Sequence, residues 1–105
     1  MKISVKELKE RINSGEKLLV KFYGDFCAPC KTMDIYYNEA SEILKNQESD
    51  VTLYSVNITD DIQFILDLGI KSVPTTKSYK DTINVTTITG LLQTDKILEL
   101  VNEIK

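Results

Sequence analysis

The stretch LLVKFYGDFCAPCK, residues 18–31, constrains this chain more than any other. It belongs to an apolar run of strand length and strand composition, Lys17 to Tyr23. The run turns at Gly24 and Asp25 and passes into a helical pattern near Cys27, the first of the chain's two cysteines; Cys30 is the second. Met33, Tyr36, Tyr37, Ala40, Ile43 and Leu44 give that helix an apolar face, which decays at Asn46 and Gln47. A second strand pattern follows at Val51 to Ile58. A strand, a helix and a strand in this order predict a parallel pair with a right-handed crossover.

The remaining elements are arranged around that unit. Ser4 and Glu7 make a capping box ahead of Val5, Leu8 and Ile12, which are spaced for one helix face, and Gly15 stops that helix. Thr59 is expected to cap a short helix whose core face is Ile62, Ile65, Leu66 and Leu68, ending at Gly69. In the segment KSVPT, Lys71 to Thr75, Pro74 cannot lie inside a central ladder. Two Thr-rich strands, Thr75 to Tyr79 and Ile83 to Thr89, form a hairpin through Lys80, Asp81 and Thr82, and Gly90 closes it. Asp95 precedes a last helix carrying Ile97, Leu98, Val101 and Ile104. The expected fold class is α/β, one domain over residues 1–105 with a small mixed sheet.

Composition narrows the function. Charged residues make up 28% with a net charge of -3, and both signs are interspersed, so neither a nucleic-acid surface nor a membrane-binding face is indicated. The N-terminal MKISVKELKERINSG has no apolar signal core, and no later run could span a bilayer, so a cytoplasmic protein is expected. In that compartment a cysteine pair is a redox or metal site before it is a structural staple. Zinc wants about four Cys or His ligands, and the chain has no histidine and no third cysteine, so no metal site is assigned. The lack of histidine also removes a Cys–His hydrolase. At a helix start, unpaired N–H groups and the helix dipole favour a thiolate. Cys27 could therefore attack a disulfide, and Cys30, one turn in, could displace the mixed disulfide. Pro29 suits an early helical position, and Lys31 adds positive charge.

The stretch LLVKFYGDFCAPCK resembles the active-site region of thioredoxins, in which an apolar strand leads into a CGPCK motif. VNIT at the end of the second strand, GIKSVPT and Gly90 follow in thioredoxin order and at thioredoxin-like spacings. The resemblance implies a thioredoxin fold, with helices on both faces of the sheet and an N-terminal strand reduced to Ile3 or absent. It implies that Cys27 is the attacking thiol and Cys30 the resolving thiol of a redox-active disulfide. Pro74 would be a cis-proline facing the pair, and Val73 would offer its backbone to an extended substrate. Phe26, Ala28, Pro29, Gly90 and Leu91 would line the rim. It implies a monomer with no bound cofactor, acting on disulfide-containing proteins and recycled from NADPH by a thioredoxin reductase.

Several positions depart from the pattern. Phe26 replaces the usual tryptophan, Ala28 the glycine of CGPC, and Ile35 the proline that kinks the long helix, which is therefore expected to run straight. The third strand, TTKSY, is polar, and Lys77 and Ser78 point to a poorly covered face or a partner. Lys21 occupies the position of the family's buried aspartate, and Ser55 that of the aspartate's lysine partner. Three readings of Lys21 stand open. A cation beneath Cys30 would stabilise its thiolate; a buried, neutral amine would accept its proton; or the side chain threads outward and keeps its ammonium in water. The expected function is reduction of protein disulfides by dithiol–disulfide exchange. The alternatives are an oxidase or isomerase using the same pair, or a non-catalytic binding module.

Overall fold

A strand as apolar as Leu18–Tyr23 (β1) has no polar face to give to water, so it must lie between two layers. In a computed structural model, which describes residues 1–105, it does. The elements follow in the order α1 (Val5–Asn13), β1, α2 (Ala28–Asn46), β2 (Thr52–Asn57), α3 (Ile62–Asp67), β3 (Thr75–Lys80), β4 (Ile83–Thr89) and α4 (Thr94–Ile104). The sheet order is β2-β1-β3-β4. β1 pairs parallel with β2, Leu18 opposite Thr52. It pairs antiparallel with β3, Leu18 opposite Tyr79.

Alternate β1 residues feed two separate cores. Leu19 packs with Met33, Tyr37 and Ala40 of α2 and Ile97, Leu100 and Val101 of α4. Leu18, Val20 and Phe22 pack on the opposite face with Val5 and Leu8 of α1 and Ile65 of α3. The helices thus cover both faces, α2 and α4 on one and α1 and α3 on the other. The N-terminal strand is reduced to one parallel bridge, Lys2 with Ser55, beside β2. The predicted capping box is present: the Ser4 hydroxyl accepts the Glu7 N–H, and the Glu7 carboxylate accepts the Ser4 N–H. α2 runs unbroken for 19 residues with Ile35 on its exposed side.

Four sequence expectations change. Thr59 does not cap α3. Asp61 does, accepting the Phe64 N–H at 3.1 Å. The adjacent Asp60 reaches across to the start of α1 and accepts the Val5 N–H at 2.8 Å. Only Ile65 of α3 is buried, while Ile62 and Leu66 are each 61% exposed, because a helix this short lays one residue on the sheet. α4 begins at Thr94 with Asp95 in its first turn rather than ahead of it, and Leu100 joins its buried face. The polar strand β3 is neither uncovered nor an edge. Lys77 and Ser78 are buried, and β4 supplies their partners. Ser78 Oγ accepts the Thr86 N–H at 3.0 Å, and Lys77 Nζ donates to Thr87 Oγ1 at 3.1 Å. A buried polar side chain is tolerable when its hydrogen bonds are made.

The β3–β4 hairpin turns through Asp81 and Thr82, with φ of 53° and 72°. Two consecutive left-handed residues are the signature of a type I′ turn, which favours Asn-Gly and penalises a β-branched side chain. Thr82 is exposed, and no side-chain hydrogen bond holds it there. Thr82→Gly is expected to stabilise the fold by about 0.5–1 kcal/mol, the relief of left-handed strain net of glycine's greater chain entropy. Urea unfolding at constant m-value measures it.

Candidate active site

The site begins where β1 ends. Cys27 has extended backbone, φ -120°, and is the N-cap of α2. Its sulfur takes the place of the usual Ser or Asp oxygen and accepts the Cys30 N–H at 3.2 Å. Pro29 in the first turn gives up an N–H that no carbonyl of the helix could have used. Cys27 and Cys30 form a disulfide with their Cα atoms 5.3 Å apart. Cys27 lies at the surface edge with 9% exposure, and Cys30 is further in, at 2%. That asymmetry suits a first thiol that meets a substrate and a second that follows. The loop before the pair is tied down by Asn57 at the end of β2, whose amide donates to Asp25 at 2.8 Å.

Two other loops converge on the disulfide. The Val73–Pro74 peptide bond is cis, as the resemblance implied. The Val73 carbonyl oxygen lies 3.7 Å from Cys27 Sγ. Pro74 is buried and its carbonyl accepts the Gly90 N–H at 2.8 Å, joining the proline loop to the end of β4. Gly90 has φ 108°, a conformation closed to ordinary L-residues, so glycine is required there. Phe26 is fully exposed, Leu91 is 40% exposed, and Ala28 and Pro29 are exposed beside them. Of the rim residues named from the sequence, Val73 contacts the Cys27 sulfur, Phe26, Ala28 and Pro29 adjoin the pair along the chain, and Gly90 is joined to the proline loop. An apolar groove of about 340 Å³ continues from Val73 past Ile58, Ile62, Leu66 and Ile70. Sequence periodicity hid this groove by assigning Ile62 and Leu66 to the core.

Lys21 does not thread outward. It is 1% exposed, because β1 is central and α2 covers its face. Its Nζ donates to Asp34 Oδ1 of α2 and lies 4.9 Å from the centre of the Tyr37 ring. The Asp34 side chain is 51% exposed, so one end of the ion pair is in the core and the other in solvent. The sheet neighbours of Lys21 are Ser55 on β2 and Thr76 on β3, forming a polar row across the sheet. Thr76 is fully buried, and its hydroxyl has no partner. Tyr37 donates its hydroxyl proton to the Tyr54 carbonyl at 2.6 Å, with the Leu19 carbonyl 3.2 Å away. Burial pushes the Tyr37 phenol well above its ordinary pKa, so it stays a donor. Asp34 was missed in the sequence. The available signal was its place four residues after Cys30, on the helix face that turns toward a buried lysine in need of an anion.

Comparison with known proteins agrees with this geometry. The thioredoxin family model matches residues 1–103. The chain is 30% identical to a thioredoxin of Rickettsia felis over 90% of its own length and 88% of that protein's. It is 35% identical to protein disulfide-isomerase 1 of Caenorhabditis elegans over 69% of its length, but spans only 15% of that longer protein. Among solved structures, a Plasmodium falciparum thioredoxin superposes with a TM-score of 0.83 over 99% of this chain and 98% of that one, at 24% identity.

The two ends of the ion pair should respond differently to removal. Lys21→Met replaces a buried cation by an apolar side chain of similar length and leaves Asp34 able to hydrate, so stability is expected to hold or rise. Asp34→Asn leaves a buried ammonium without its anion and is expected to cost about 3 kcal/mol. Thermal and urea unfolding of the two variants check this asymmetry.

Proposed function

The chain belongs to the thioredoxin family of thiol–disulfide oxidoreductases, and we propose that it works as a reductant of protein disulfides. The observation that carries the proposal is the Cys27 sulfur, which caps α2 and lies beside the Val73 carbonyl of the cis-proline loop. With the pair reduced, the Cys27 thiolate attacks one sulfur of a target disulfide. One target thiolate leaves, and a mixed disulfide forms. The Cys30 thiolate then attacks the Cys27 sulfur, closing the Cys27–Cys30 bond and releasing the second target thiolate. Two electrons pass from the dithiol to the target.

An extended target segment would lie along Val73, using backbone hydrogen bonds as a sheet edge does. An apolar target side chain would enter the adjacent groove past Ile62 and Leu66. Reduction of the spent disulfide from NADPH through a thioredoxin reductase follows from family membership. The CAPC pair, with no histidine between its cysteines, favours a reductant over an isomerase. A dithiol that must be returned to its reduced form works best in a reducing compartment, which supports action in the cytoplasm, as a monomer.

Titration of the Cys27–Cys30 couple against glutathione or dithiothreitol mixtures is the test. A potential around -270 mV is expected; a value around -180 mV or above would move the protein to the isomerase and oxidase end of the scale. Cys30→Ser is expected to accumulate a mixed disulfide with a target protein, visible by mass spectrometry, whereas Cys27→Ser forms none. Retention of a bound partner protein by the Cys27→Ser, Cys30→Ser double variant would favour a binding role independent of the thiols, whereas an oxidoreductase loses all activity.

A further inference from the structure

We propose that Asp34 is the route by which the proton of Cys30 leaves the buried site, and that Lys21 is the positioning residue that holds its carboxylate there. The proposal rests on the oxidoreductase reading. In that reaction Cys30 must lose a proton before it can attack, yet at 2% exposure it has little direct access to water. Asp34 follows Cys30 by one turn of α2, and residues at that spacing are neighbours on a helix surface, about 5–6 Å between Cβ atoms. The carboxylate is the proton acceptor that this spacing offers on α2.

The exposures of the pair set the direction of proton flow. Lys21 is 1% exposed and fixes the inner end of the pair, while the Asp34 side chain is 51% exposed and opens to solvent. A protonated ammonium cannot accept a proton, so Lys21 is not itself the base while it is paired. Its Nζ, donating to Oδ1, holds the carboxylate against the sheet side of α2. The row Ser55–Lys21–Thr76, with the unpartnered Thr76 hydroxyl, makes this patch of the sheet polar enough to hold a charge in transit. The step balances simply. Cys30 S–H gives its proton to the Asp34 carboxylate, and the resulting thiolate attacks Cys27 Sγ. The target thiolate leaves with the electron pair, and the Asp34 carboxyl returns its proton to water.

The test follows reduced protein reacting with dithiobis(nitrobenzoate), which releases one thionitrobenzoate when Cys27 attacks and a second when Cys30 resolves the mixed disulfide. The wild type is compared with the Lys21→Met, Asp34→Asn double variant, which carries no buried ammonium and is expected to fold. It is also compared with Lys21→Met, which keeps the carboxylate without the residue that positions it and is expected to fall between the two. The double variant is expected to keep the first phase and to slow the second by about tenfold or more near pH 7, within what a positioned base contributes. Its second phase should also climb more steeply with pH, because hydroxide must replace the lost base, and Asp34→Glu should retain the fast phase. A second phase slowed by less than about tenfold, or one with an unchanged pH profile, overturns the role of Asp34. Loss of the first phase in the wild type would instead overturn the oxidoreductase reading, so the two failures are distinct.

Discussion

Everything in this molecule hangs on β1 being buried on both faces. Leu18, Val20 and Phe22 anchor one core and Leu19 the other, and each of these side chains is fully buried. Burial of side chains this size is worth about 1.5–3 kcal/mol each. The strand is also hydrogen-bonded along both edges, to β2 and to β3. Its C-terminal end is therefore the best-fixed point in the chain. The loop that leaves it delivers Cys27 to the start of α2, and β3, its antiparallel neighbour, begins just after the cis-proline. The sulfur and the Val73 carbonyl meet because each is attached to one end of that strand pair.

The same burial creates the fold's main electrostatic problem. A lysine at position 21 of a two-sided strand cannot reach water, and an isolated charge there would be prohibitively costly. The fold answers from the helix. Asp34 and the Tyr37 ring, both on α2, close around the ammonium, and the half-exposed carboxylate avoids the second desolvation that makes fully buried pairs expensive. The charge arrangement is thus divided between the sheet and the helix that carries the cysteines. β3 solves a similar difficulty sideways: Lys77 and Ser78 take their hydrogen bonds from β4.

What was legible in the sequence was local. The capping box at Ser4, the apolar run of β1, the strand–helix junction at Cys27 and the hairpin ending at Gly90 are each specified by residues within a few positions of one another. The period and chemistry of those residues have few structural solutions. The resemblance to thioredoxins extended that reading to Val73 and Pro74, which no periodicity marks. The errors were of another kind. Thr59, Asp60 and Asp61 are equally plausible caps by composition, and only the position of α1 over α3 assigned Asp60 to Val5 and left Asp61 for Phe64. Ile62 and Leu66 fit a core face by spacing, but a short helix met the sheet through Ile65 alone.

The sequence by itself determined the element order and the chemistry of the thiols, because these follow from hydrogen-bonding periodicity and from residue type. Tertiary structure alone decided the partners: which carboxylate neutralises Lys21, which strand satisfies Lys77, and which carbonyl lies against Cys27. Those contacts join residues 10 to 46 positions apart. Their existence depends on strand order and helix placement, and these are set by the packing of the whole chain and by no segment of it.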